Sequence, residues 1–220
     1  MKIIQFPKPQ RRREPILNLP PATEALVLVL VIIHLVRMVL PVAADEWLLE
    51  HAALVPAFLT GQDGASIPLA LPTLITFAFL HGGWGHLIIN TVTLAAFGTA
   101  MERVMGRNRM VVFFLATSII AGLSQVATAP RELVVIVGAS GGISGLFGGV
   151  LHLMRSMEGR RKTFDRRLLL LAGIFILMSV LGGNLGLPGT RGAVVAVMAH
   201  VGGFVSGLLL FPLMSIKRSK

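Results

Sequence analysis

Apolar residues along this chain run in long blocks, not at the spacing of an amphipathic surface helix. "EALVLVLVIIHLVRMVLP", "LLLLAGIFILMSVLGG" and "GAVVAVMAHVGGFVSGLLLFPLM" each approach the roughly 20 residues that a bilayer core demands. The pattern predicts an all-α, polytopic membrane protein with six spans, at 24–42, 84–101, 110–129, 140–154, 168–186 and 193–214. What remains is polar connection: "ERVMGRNR", "APRELVVIVGA", "RSMEGRRKTFDRR" and "LPGTR" are short, and residues 43–80 form a longer piece with acidic and apolar parts. A basic tail, 1–23, precedes one membrane domain, 24–214, and a basic tail, 215–220, follows it.

Composition supports this division. Hydrophobic residues make up 54% of the 220 and charged residues 14%, against roughly 25% charged in a soluble domain. The chain has no cysteine, which excludes disulfides, zinc–thiolate sites and thiol catalysis. The net charge of +10 raises the possibility of nucleic acid, but the placement of the charge excludes it. The N-terminal tail carries five Lys or Arg, "ERVMGRNR" three, "RSMEGRRKTFDRR" six and the final "KRSK" three, which is 17 of 20. With six spans those four segments share one side, so both termini are expected in the cytoplasm. A cleavable signal peptide ending near "VAAD" is a competing reading of the N-terminus. The length of its apolar run, and His34 and Arg37 within it, favour a retained anchor. Arg37, near the outer end of that span, is expected to snorkel to the interface.

Strongly polar residues inside spans are costly and call for a reason. The candidates are His86 and Asn90 in the second span, Ser140 and Ser144 in the fourth, and His200 in the sixth. Counting at 1.5 Å per residue from the cytoplasmic ends puts Ser140 and His200 each roughly 21 Å deep, and Asn90 roughly 18 Å, with His86 one turn higher. Three spans thus place their polar groups in one layer, about 10 Å below the outer surface of a core about 30 Å thick. The fourth span is short because it begins inside the membrane, with "RELVVIVGA" dipping down to meet it. Ser140, at a helix start, has free backbone N–H groups beside it, suited either to capping or to holding an oxyanion.

The stretch "GASGGISGLFGG" puts six glycines into twelve positions, although glycine weakens a helix interior. Gly141, Gly145 and Gly149 recur every fourth residue, as do Ala199, Gly203 and Gly207 in the sixth span. Such small-residue faces let membrane helices approach closely. If the two faces meet, Ser140 and His200 come within hydrogen-bond reach, and His200 can serve as general base toward Ser140. No carboxylate is at hand to orient the imidazole, so this is a dyad. His86 and Asn90, at i and i+4, share one face and can donate toward a tetrahedral oxyanion. His81 and Trp84 sit near the outer interface, the first suited to holding water and the second to an aromatic belt; His34 and His152 read as structural.

These residues resemble the rhomboid family of intramembrane serine proteases. "HGGWGHLIIN" is similar to that family's His-rich loop and second helix, "GASG" to its G-x-S-G motif, and "AHVGGFVSG" to its A-H-x-x-G-x-x-x-G sixth helix. "MERVMGR" is similar to its Glu-containing connection, with Glu102 and Gly106 matching; the likeness runs from about Leu71 to Leu210. The resemblance implies a six-helix membrane bundle, Ser140 as nucleophile, His200 as base, and His86, Asn90 and the Ser140 N–H as oxyanion donors. It implies transmembrane protein substrates met within the lipid bilayer, no nucleic-acid partner, and no cofactor or metal. A short chain without large added domains points to a bacterial inner membrane. Two departures touch substrate access. Trp47 lies between Glu46 and Leu48 where many members carry a Trp-Arg pair, and "PGTRGAVVAVM" lacks the aromatics often found before the sixth helix. A non-catalytic membrane binding protein of the same fold is the main rival; a small transporter is weakened by the shortage of buried carboxylates.

Overall fold

The computed structural model describes residues 18–157 and 196–215, with Arg166, Leu170, Leu171, Gly173, Ile174, Phe175 and Leu177 between them. Helices dominate: α1 (Pro21–Val39), α2 (Val42–Ala52), α3 (Pro56–Leu59), α4 (Ile67–Ala70), α5 (Thr73–Thr76), α6 (Trp84–Met105), α7 (Arg107–Thr128), α8 (Ser140–Met157) and α9 (Val197–Met214). Among the described residues, β pairing is limited to one isolated bridge between Leu54 and Ile136. The chain is an all-helical integral membrane protein. Its outward surface is apolar, with Leu28, Ile32, Ile88, Val92, Leu209 and Leu213 all exposed.

Several expected limits move, and each shift has a local cause. The first span, expected at 24–42, runs from Pro21 to Val39. Pro21 suits the first helical turn, and Pro41 forces Leu40 out of helical geometry (ψ 146°). The second span continues past 101 to Met105, and the third starts at Arg107 instead of 110 and ends at Thr128. The expected connection "ERVMGRNR" is therefore helix throughout except Gly106, whose φ of 82° makes the turn between α6 and α7. The stretch 43–80 is not a loose connection but carries α2 to α5. The fourth helix starts at Ser140 as expected and runs on to Met157; the sixth ends at Met214 as expected, and starts at Val197.

By length and apolarity α1, α7 and α9 each suffice to cross a membrane. α6 reaches that standard only together with Ile67–Phe79, from which it is bent by 80°. The expected fifth span, 168–186, lies almost wholly outside the described residues. The positions described within it are helical, and Phe175 packs its ring on Phe97 of α6 and Phe147 of α8. The expected tails, 1–23 and 215–220, also lie mostly outside.

Two contacts fix the bundle. At the end of α6, the buried Glu102 carboxylate accepts from the N–H groups of Ala22 (3.0 Å) and Thr23 (2.7 Å) and from the Thr23 hydroxyl (2.8 Å). It thus caps the start of α1 from another helix, placing negative charge at the positive end of the helix dipole. The second contact is the α8–α9 crossing. A Cβ on Gly203 would lie 3.0 Å from the Gly141 carbonyl carbon, and one on Gly207 2.7 Å from that of Gly145. The expected meeting of small-residue faces is present, with one correction: Gly149 does not face α9 but Met101 and Phe113. The α8 residue closed down by α9 backbone is Gly148, a Cβ there reaching 3.0 Å from the Leu208 nitrogen. Gly142 is pressed on Phe114 and Ser118 of α7, and Gly145 on Thr117. α8 is glycine-rich because it has close neighbours on three sides.

Two substitutions test these contacts by thermal unfolding in detergent. Glu102→Ala, which leaves the α1 N–H groups unpaired, should cost about 1.5–3 kcal/mol. Gly207→Ala, which meets backbone that cannot move aside, should cost about 1–3 kcal/mol.

Candidate active site

Hydroxyl groups in these helices mostly satisfy themselves. Ser144 donates to the Ser140 carbonyl (2.7 Å), Ser118 to that of Phe114 (2.8 Å) and Ser206 to that of Gly203 (2.7 Å). His51 bonds back in the same way, to the Trp47 carbonyl at 2.8 Å, but several buried imidazoles do not. Buried ring nitrogens of His34 (Nδ1), His81 (both) and His200 (Nδ1) have no hydrogen-bond partner among the described residues. A buried polar atom without a partner is costly.

Ser140 opens α8, half-buried. The first N–H of that helix to find a carbonyl is Ile143, bonded to Ala139 at 3.0 Å; those of Ser140, Gly141 and Gly142 have no backbone partner among the described residues. The extended chain arriving there is pinned along the first connection. Ala57 N–H donates to the Glu132 carbonyl, Leu54 and Ile136 exchange bonds of 3.0 and 2.9 Å, and Gly138 N–H donates to Phe77 at 2.9 Å. Irregular backbone at this depth is tolerated because protein groups pair it.

Gly138 is where two of the expected residues meet. A Cβ there would lie 2.7 Å from both Cε1 and Nε2 of His86 and 3.7 Å from the Ser140 Oγ. Its φ of 126° independently favours glycine. His86 of α6 therefore turns its Nε2 edge toward the chain entering Ser140. Asn90, one turn further, is buried, and its Nδ2 donates to the His86 carbonyl at 3.0 Å, leaving a second amide hydrogen.

His200 lies in the first turn of α9, buried. The carbonyl of its neighbour Ala199 lies 3.8 Å from a Cβ on Gly141, so the starts of α8 and α9 abut. No hydrogen bond joins the Ser140 hydroxyl to the His200 ring among the described residues. Catalytic hydrogen bonds are often long before substrate binds.

Outside this core, Arg37 departs from the expectation that it snorkels to the interface. Its guanidinium makes a two-pronged ion pair with Asp45 (Nε–Oδ1 2.7 Å, Nη2–Oδ2 3.0 Å) and donates from Nη1 to the His81 carbonyl at 2.9 Å. An acid placed just past the proline break, eight residues on, was the available signal. His81 is buried with its ring edge-on to His86, centroids 5.0 Å apart. His34, expected to be structural, packs edge-on to Trp84 at 4.8 Å, and His152 lies against Phe211. Trp84, expected in an aromatic belt, is 42% exposed. Trp47 is exposed and stacks on His51. Most of "PGTRGAVVAVM" lies outside the described residues.

A sequence model described as the Rhomboid domain matches residues 69–217. The chain is also similar to three curated proteins. It is 31% identical over 140 residues to "Putative rhomboid protease YdcA" of Bacillus subtilis (strain 168), covering 62% of this chain and 64% of that one. It is 33% identical over 134 residues to "Rhomboid protease GluP" of the same organism, covering 61% and 24% respectively. It is 32% identical over 137 residues to "RHOMBOID-like protein 4" of Arabidopsis thaliana, covering 62% and 32%. The match thus spans less than two thirds of each relative.

The meeting at Gly138 makes a direct prediction. Gly138→Ala should lower stability by about 1–3 kcal/mol, through the positive φ and the displaced His86 ring. Thermal unfolding in detergent checks it.

Proposed function

The chain belongs to the rhomboid family, and on that premise we propose that it is an intramembrane serine endopeptidase acting through Ser140 and His200. The observation that carries this reading is the convergence of Ser140, at a helix start whose N–H groups have no backbone partner among the described residues, with the Nε2 edge of His86 and the abutting first turn of α9. Two relatives named as rhomboid proteases support the same class of activity.

The chemistry follows from the groups available. Ser140 Oγ attacks the scissile carbonyl carbon while His200 takes its proton. The carbonyl oxygen becomes an oxyanion that accepts from the Ser140 N–H, the His86 Nε2–H and the free amide hydrogen of Asn90. The C–N bond then breaks, His200 gives its proton to the departing amine, and an ester on Ser140 remains. Water, deprotonated by His200, attacks that ester, and the returned proton restores the Ser140 hydroxyl.

The substrate is a transmembrane segment of another protein, approached through the lipid. A helix hides its carbonyls in its own hydrogen bonds, so it must unwind first. Segments with Gly, Pro or polar residues near the outer end of their helix are the favoured substrates. The setting is a bacterial inner membrane with both termini cytoplasmic, which the arginines at the α6–α7 turn (Arg103, Arg107, Arg109) support.

The test uses purified protein in liposomes with a fluorescent model membrane substrate. Wild type should cleave, and Ser140→Ala and His200→Ala should each lose at least about 10³-fold in kcat. A serine-directed phosphonate should label wild type and not Ser140→Ala. No cleavage by wild type, or normal cleavage by both variants, points instead to a non-catalytic binding protein.

A further inference from the structure

The Arg37–Asp45 pair touches none of Ser140, His200 or Asn90, yet it reaches His86 through a single peptide group. The carbonyl that accepts from Arg37 Nη1 at 2.9 Å is that of His81. The N–H at the other end of the same peptide bond, that of Gly82, donates to His86 Nδ1 at 3.5 Å. A trans peptide is planar, with its carbonyl and N–H pointing in opposite directions. One rigid unit therefore joins the guanidinium on one side to the imidazole on the other.

We propose that Arg37, held by Asp45, is a positioning residue that fixes the tautomer and orientation of His86 through the His81–Gly82 peptide; this rests on His86 being an oxyanion donor. A neutral imidazole has one donor nitrogen and one acceptor. When Nδ1 accepts from Gly82, the ring proton sits on Nε2, the edge that faces Gly138 and lies beside Ser140. That is the state an oxyanion donor requires. The other tautomer would turn a lone pair toward the developing negative charge.

Three features suit Arg37 to this work. The ion pair is two-pronged, so the plane of the guanidinium is set. Its side chains are only 11% and 28% exposed, which limits screening. A cation on the carbonyl polarises the whole peptide and strengthens donation from its N–H. The pair also spans the break at Leu40–Pro41, tying the end of α1 and the start of α2 to the loop that carries His81 and Gly82. Arg37 thus holds the loop through its main chain.

The experiment is a nitrogen NMR spectrum of histidine-labelled protein in lipid, with the His86 signals assigned by their loss in His86→Ala. Wild type should show His86 protonated on Nε2. Arg37→Gln should shift part of the population to the Nδ1-protonated form, and lower kcat about tenfold or more with KM changed less than about twofold. Arg37→Lys, which keeps a cationic donor, should recover part of both effects. If Arg37→Gln does not fold, Asp45→Asn carries the same comparison, because it removes the charge and one of the two acceptor oxygens that aim the guanidinium. His86 remaining on Nε2 in the substituted proteins, or found on Nδ1 in wild type, overturns the proposal whatever the activity. Absence of cleavage by wild type would instead sink the protease reading and leave the tautomer result standing on its own.

Discussion

The close backbone approach of α9 to α8 is the constraint on which this architecture depends. Gly203 and Gly207 rest on the carbonyl groups of Gly141 and Gly145, with no side chain intervening at those two points. In a bilayer the hydrophobic effect does not drive helices together, since lipid tails are as apolar as leucine. Association then rests on dispersion contacts and polar pairing, which require short distances. Each glycine costs helix propensity, and five of them in α8 make sense only because the helix is gripped by α7 and α9 and touched by α6. That grip also places the two residues of the proposed dyad. Ser140 and His200 each precede the first small residue of the crossing or lie within a turn of it, so the contact that holds the helices brings the starts of both to one level.

A second constraint is the satisfaction of backbone that is neither helix nor in water. The chain from Ala129 to Ala139 runs into the bundle without regular structure, and its polar groups pair with Leu54, Ala57 and Phe77 from the first connection. That connection is thus a mate for the segment that delivers Ser140. The hydroxyls around it turn back onto their own helices, whereas His34 and His200 each keep a ring nitrogen with no partner among the described residues. Buried polar groups without a partner cost stability where they occur.

Much of this was legible in the sequence, for reasons that can be named. Apolar blocks located α1, α6, α7, α8 and α9, and the start of α8 at Ser140 followed from the shortness of its apolar run. The spacing of Gly141 with Gly145 and of Gly203 with Gly207 gave the α8–α9 crossing. The role of Gly149 was not legible, because spacing reports a face and not which neighbour fills it. The helical turn through "ERVMGRNR" was hidden by its charge: hydropathy ends where the membrane ends, while the helix continues until Gly106 breaks it. The partner of Arg37 was not legible for a similar reason. An arginine near a membrane surface normally reaches for headgroups, and only the fold of α2 back toward α1 puts Asp45 against it. The end-cap by Glu102 on α1 joins residues about 80 apart, a distance no local pattern crosses.

The proposed active site is one polar layer, set by the α8–α9 crossing, that holds Ser140, His200 and the candidate oxyanion donors together. The most direct measurement is an experimental structure, in lipid nanodiscs, of the protein trapped with a serine-directed phosphonate. Phosphorus is expected on Ser140 Oγ, with a phosphoryl oxygen within hydrogen-bond reach of the Ser140 N–H and His86 Nε2, and the His200 ring beside the same centre. Phosphorus bound elsewhere, or a His200 ring separated from Ser140 by an intervening side chain, would contradict it.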